Sequence, residues 1–247
     1  MVKPFATMTP AARFVFGMGS EESRLQALLD AHGGMLSLWR VDALSQWDDA
    51  ARLASDVLDA EESRRAARFR RSADRRCYVV AHVALRVLLG AHLGITPGAV
   101  RLIREDCPSC GDAHGRPAVD GGGVHFSLSH SGDLVLIGTA EAPVGVDVER
   151  VARADVVAEV SPSLHAVEVA ELAAEPYAGR SLAFARMWVR KESYLKGIGT
   201  GLSRSPALDY VGAGPLPGPQ GWTLGDVAMP AGYVAAFAIR SPGHLSS

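Results

Sequence analysis

Three cysteines in 247 residues, Cys77, Cys107 and Cys110, are too few and too unevenly placed to frame a disulfide-stapled secreted fold. Charge of one sign is also missing: 25 basic against 27 acidic residues leave a formal net charge of −2. A general nucleic-acid binder shows a large basic excess, so any cationic site here must be local. No uninterrupted run of about 18 apolar residues offers a membrane span. The N-terminus carries Lys3 and scattered apolar residues, without the apolar core and small-residue cleavage site of a signal peptide. The expectation is a cytoplasmic protein with neither nucleic acid nor membrane as partner. What is present is ordinary for a globular chain, with 48% hydrophobic and 21% charged residues. The length suits one large domain or two small lobes around a proper apolar core.

Residues 1–34 read as an extension, weakly helical from Glu21 to Leu29 and stopped by Gly33-Gly34. Residues 35–41 alternate as a first strand. The Ala-, Glu- and Arg-rich stretch 47–69 predicts one helix, and 73–93 a second, mostly buried helix stopped by Gly94. Residues 106–123, full of Gly, Pro and Asp, predict a loop. Strands are predicted over 124–129 and 134–139, joined at Ser131-Gly132-Asp133, and again over 144–149. Helices over 163–173 and 180–196, a loop over 212–221 and a hairpin of 222–227 with 233–239 complete the chain. This order predicts an α+β protein with an N-terminal lobe over 35–140 and a C-terminal lobe over 141–247.

Three stretches carry chemistry. In Val144-Gly-Val-Asp-Val-Glu149, residues two apart share a strand face, so Asp147 and Glu149 stand together opposite the valines. Two carboxylates held side by side repel unless a cation lies between them, and hard oxygen ligands suit Mg²⁺. Taken alone, the pair reads more simply as a solvated strand face. In Trp188-Val-Arg-Lys-Glu-Ser-Tyr-Leu-Lys196, Trp188, Glu192 and Lys196 lie along one helix face, with Lys191 one step around. A surface helix with a Glu–Lys pair is the plain alternative. In Phe126-Ser-Leu-Ser-His-Ser131, hydroxyls and an imidazole at a strand end offer donors to phosphate oxygens. No G-x-S-x-G elbow supports a serine hydrolase.

Together, Gly145-Val-Asp-Val-Glu149 and Trp188 to Lys196, about forty residues apart, resemble the two signature motifs of Sfp-type 4′-phosphopantetheinyl transferases. Phe126-Ser-Leu-Ser-His130 and Gly115-Arg-Pro117 resemble two weaker motifs of that family, in the expected order, and the likeness covers Met35 to about Arg240. The resemblance implies an α/β fold of two similar lobes in pseudo-twofold relation, monomeric, with coenzyme A in the cleft between them. Carried over position by position, Asp147, Glu149 and Glu192 would hold Mg²⁺. Lys196 would meet the pyrophosphate and assist the leaving group, and Lys191 would assist with phosphates. Ser129 and His130 would meet phosphates of coenzyme A, Arg116 and Pro117 would pass near the nucleotide, and Arg65 would lie near the 3′-phosphate. Arg116 stands where the family often has Lys, and Lys-Glu-Ser replaces a Lys-Glu-Ala common in one branch.

The implied reaction is that of a holo-[acyl-carrier-protein] synthase. A serine of an apo acyl or peptidyl carrier protein attacks the β-phosphorus of coenzyme A and releases 3′,5′-ADP. Glu192 is the candidate base as well as a candidate ligand. A different Mg²⁺-dependent phosphate enzyme and an inactive carrier-binding module are the competing readings. The seven arginines from Arg64 to Arg76 read half as solvated helix surface and half as a basic patch for phosphates and acidic carrier helices. Cys107-Pro-Ser-Cys110 with His114 looks like half a zinc site, with His125 as the conceivable fourth ligand; the simpler reading is a loop without metal.

Overall fold

The computed structural model describes residues 11–14 and 36–241, except 213 and 215. The helical stretch expected over Glu21 to Leu29 lies outside the described residues. The described residues form two compact units, one within Ala12–Ile103 and Pro117–Glu141, the other within Arg104–Arg116 and Ala142–Ser247.

In the first unit, β1 (Ala12–Arg13) pairs in parallel with β2 (Leu36–Asp42), so part of the expected extension belongs to the sheet. β5 (His125–Ser131) and β6 (Leu134–Ala140) complete a four-stranded sheet in the order β1-β2-β6-β5, with β6 antiparallel to both neighbours. Apolar residues alternate onto one face: Trp39, Val41, Val135 and Ile137 pack with Val80, Val83, Ala84 and Leu88 of a long helix. The single helix predicted over 47–69 is two, α1 (Trp47–Val57) and α2 (Ala60–Arg68). The cause is local. Asp59 accepts from the Glu61 and Glu62 amides while Glu62 reaches back to the Asp59 amide, a capping box that restarts the helix. Arg86, 1% exposed, donates to Glu62, Asp59 and the Val100 carbonyl, each at 2.7 Å.

Arg86 lies on the long helix, α3 (Ser72–Leu93), which ends as predicted at Gly94 in the left-handed conformation. By length and composition α3 is apolar enough to cross a bilayer, but in this fold its apolar side chains form the core of the first unit. A two-stranded ribbon of β3 (Leu102–Arg104) and β4 (Pro117–Val119) flanks the excursion of residues 104–116.

In the second unit, β7 (Val144–Arg150), β9 (Tyr233–Arg240) and β8 (Trp222–Val227) form an antiparallel sheet in the order β7-β9-β8. Three helices follow β7: α4 (Ala154–Val160), which the sequence reading did not foresee, α5 (Ala166–Ala174) and α6 (Tyr177–Ile198). Ala185 and Val189 of α6 pack on Val234 and Ala236 of β9, which fixes the helix across the sheet.

Candidate active site

The site begins with the alternation of β7. Val144, Val146 and Val148 are at most 1% exposed on one face. Gly145, Asp147 and Glu149 occupy the other face, toward α6. That helix comes very close because Gly145 has no side chain: a Cβ there would stand 1.9 Å from the Ser193 carbonyl oxygen and 2.4 Å from the Gly197 nitrogen. Gly197 is equally tight, since a Cβ on it would meet the Trp222 ring at 2.6 Å. Across the sheet, Gly145 lies opposite Ala238 and Asp147 opposite Ala236, both fully buried alanines that keep the face low.

This approach brings the last turns of α6 onto the carboxylate strand. Lys196 Nζ donates to Asp147 Oδ1 at 2.6 Å, and Asp147 is only 2% exposed. The solvated-strand reading of Asp147 is therefore wrong: a helix covers it. Glu192, one turn before Lys196, is half-buried. Burial pushes its carboxyl above the usual carboxylate range; Lys196 pulls it down, while the charges of Asp147 and Glu149 push it up further. Three carboxylates and one ammonium thus interact in one place, a hard-oxygen donor set of the kind that holds a divalent cation.

Arg116 joins them at the end of the helix. Its Nη1 donates to the Gly197 carbonyl at 2.9 Å and its Nε pairs with Glu105 Oε2 at 2.7 Å. The guanidinium therefore caps the C-terminal end of α6, where a cation is favoured.

Lys191 is placed elsewhere, which corrects the phosphate role expected of it. It is fully buried, and its Nζ lies 3.0 and 2.9 Å from the two carboxylate oxygens of Glu168, itself fully buried. Lys191 also donates to the Asp209 carbonyl, while Glu168 accepts from the Val211 and His165 amides. Desolvation holds the Lys191 ammonium below its usual value, against the pull of Glu168. One step around a helix is about 100°, enough to turn Lys191 away from the carboxylates.

Arg65, Pro117, Ser129 and His130 belong to the other unit. Arg65 is exposed on α2, its guanidinium 5.8 Å from the Tyr78 ring centroid. Pro117 opens β4; Ser129 is buried in β5 opposite Leu136, and the neighbouring His130 is exposed opposite Val135.

Sequence reasoning missed the second tie between α6 and the sheet. Arg190 Nε donates to Asp226 Oδ1 at 2.7 Å, and Asp226 shares Ala236 as a cross-strand neighbour with Asp147. The available signal was the lone carboxylate in the edge strand Trp222–Val227.

A family model described as the 4′-phosphopantetheinyl transferase superfamily matches residues 143–218, which hold both β7 and α6. A Nostoc protein named 4′-phosphopantetheinyl transferase HetI is 28% identical over 214 residues, covering 83% of this chain and 88% of the relative. The 4′-phosphopantetheinyl transferase gsp of Aneurinibacillus migulanus is 36% identical over 90 residues, 36% of this chain and 37% of its own. The 4′-phosphopantetheinyl transferase Sfp of Bacillus subtilis is 29% identical over 124 residues, 49% of this chain and 54% of its own.

Proposed function

Because the chain belongs to the 4′-phosphopantetheinyl transferase superfamily, we propose that it transfers the phosphopantetheine of coenzyme A to a serine of an apo acyl or peptidyl carrier protein. The observation that carries this reading is the meeting of β7 and α6, where Lys196 lies 2.6 Å from Asp147 and Glu192 feels both strand carboxylates. Neither motif alone points to chemistry; their meeting around the buried Asp147 supports it.

In this reading Asp147, Glu149 and Glu192 hold Mg²⁺, which when bound supplies charge neutralisation at the pyrophosphate. The serine oxygen bonds to the β-phosphorus and the bond to the 3′,5′-ADP oxygen breaks. Lys196 offers its ammonium to the phosphate oxygens on which charge accumulates as that bond breaks. Glu192 is the candidate base for the serine proton, a role that competes with its role as a ligand. Arg116, fixed between Glu105 and the end of α6, offers a second cation for the nucleotide phosphates. The roles of Arg65, Pro117, Ser129 and His130 rest on the motif resemblance alone.

The test is an incubation with coenzyme A, Mg²⁺ and an apo carrier, reading the carrier's intact mass. One added phosphopantetheine, abolished by EDTA, is expected. Asp147→Ala should lower the rate by at least about 100-fold, the scale for losing one preorganised electrostatic group, with an unchanged circular dichroism spectrum. A near-normal rate in that variant overturns the ligand assignment. Release of 3′,5′-ADP without any carrier would point to a different phosphate chemistry.

A further inference from the structure

A cluster outside the carboxylate site carries a second assignment. Cys107 Sγ, Cys110 Sγ and a ring nitrogen of His114 all lie within 4.8 Å of one another, with Cys110 Sγ 3.0 Å from His114 Nε2. A tetrahedral zinc ion, with Zn–S of about 2.3 Å and Zn–N of about 2.0–2.1 Å, holds its donors roughly 3.3–3.8 Å apart, so only small side-chain shifts are needed.

The backbone is already shaped for it. The Gly111 amide donates to the Cys107 carbonyl at 2.8 Å and the Cys107 amide to the Asp112 carbonyl at 2.8 Å, closing a tight turn. Gly111 sits at φ +80°, which a side chain would oppose.

We propose that Cys107, Cys110 and His114 bind one Zn²⁺ ion, with a water in the fourth position, and that this metal fixes the loop that carries Arg116. Two thiolates select a soft or borderline cation over Mg²⁺. Binding releases the two thiol protons and involves no redox change. His125 is not a member of this cluster among the described residues, which leaves the fourth position to solvent, on the side where Cys110 and His114 are exposed. The loop leans on the end of α6: Cys107 Sγ is 3.6 Å from Ser203 Oγ, and a Cβ on Gly199 would stand 3.7 Å from both Pro108 and Arg116. The Gly115 amide donates to the Glu105 carbonyl and the Glu105 amide to the Arg116 carbonyl, so the turn is closed at its base by the residue pair that aims Arg116. The functional part of this inference rests on the role proposed above for Arg116; the metal site does not.

The experiment is elemental analysis of the full chain, purified under reducing conditions without chelator. About one zinc per chain is expected, falling at least tenfold in Cys110→Ser and in His114→Ala. Asp147→Ala should keep its zinc, which separates this site from the carboxylates and from any failure of transfer activity. Cobalt substitution should give a thiolate charge-transfer absorption that Cys110→Ser lacks. Absence of bound metal at micromolar free zinc, with the Cys107 and Cys110 thiols reduced, overturns the proposal. So does a Cys107–Cys110 disulfide that persists under the same reducing conditions.

Discussion

Lys191 and Lys196 stand five residues apart on one helix, and their surroundings separate them completely. Lys196 is part exposed and reaches a strand carboxylate; Lys191 is sealed against Glu168 with no exposure at all. Removing one partner of a buried pair leaves an uncompensated charge, so Lys191→Ala should lower stability by about 3–5 kcal/mol. Its KM for coenzyme A should stay within about twofold of the parent at a temperature where the variant is folded. Chemical denaturation and steady-state kinetics check the two halves; a raised KM at unchanged stability would restore the phosphate role. The candidate site was legible through the family resemblance: periodicity puts Asp147 with Glu149 on one strand face and Glu192 with Lys196 on one helix face, and taken alone each pattern reads as solvated surface. Lys191 was not legible, because its partner Glu168 lies on a different helix and no local spacing links the two.

α6 rests on the sheet through absences of side chain. With Gly145 and Gly197 back to back, and Ala236 and Ala238 alongside, the helix descends far enough for Lys196 to touch Asp147. Gly145→Ala would drive a methyl into the Ser193 carbonyl, and the helix must lift. The expected cost is about 1–3 kcal/mol of overpacking, together with a loss of transfer rate at least as large as that of a conservative change in Glu192. Denaturant midpoints and turnover measured on the same preparation test this; full activity would mean that the close approach does not set the site. Of the elements, β2, β5 to β9, the core helix α3 and the charged helix α6 were readable from period and turn residues. The break at Leu58 was missed because composition suggested one continuous helix, while the signal lay in the spacing of Asp59 and Glu62. α4 is a short helix whose seven residues hold too few turns for a period to show.

At the scale of the molecule, both units hide groups that resist giving up protons. Burial raises Tyr78 of the first unit from 10.0 to about 12 and Cys77 beside it from 9.0 to about 11. Burial and the bond to Glu171 raise Tyr210 of the second unit to about 12. Each folded value exceeds the unfolded one, so the unfolded chain loses these protons first and stability falls with rising pH. The contribution is complete below about pH 9 and is lost progressively toward pH 12. Urea midpoints measured between pH 8 and pH 11.5 should decline from about pH 9 upward, and Tyr78→Phe with Tyr210→Phe should flatten the decline. A flat profile in the parent protein would refute it. The division of the chain has a consequence in time. Residues 104–116 belong with the second unit although they are made inside the first, and synthesis proceeds from the N-terminus, so Arg116 emerges about eighty residues before the Gly197 carbonyl it binds. The excursion must wait on the growing chain without its partner. A turn closed by its own amides, and clipped by a metal drawn from within eight residues, is a shape that such a segment can hold alone until the helix arrives.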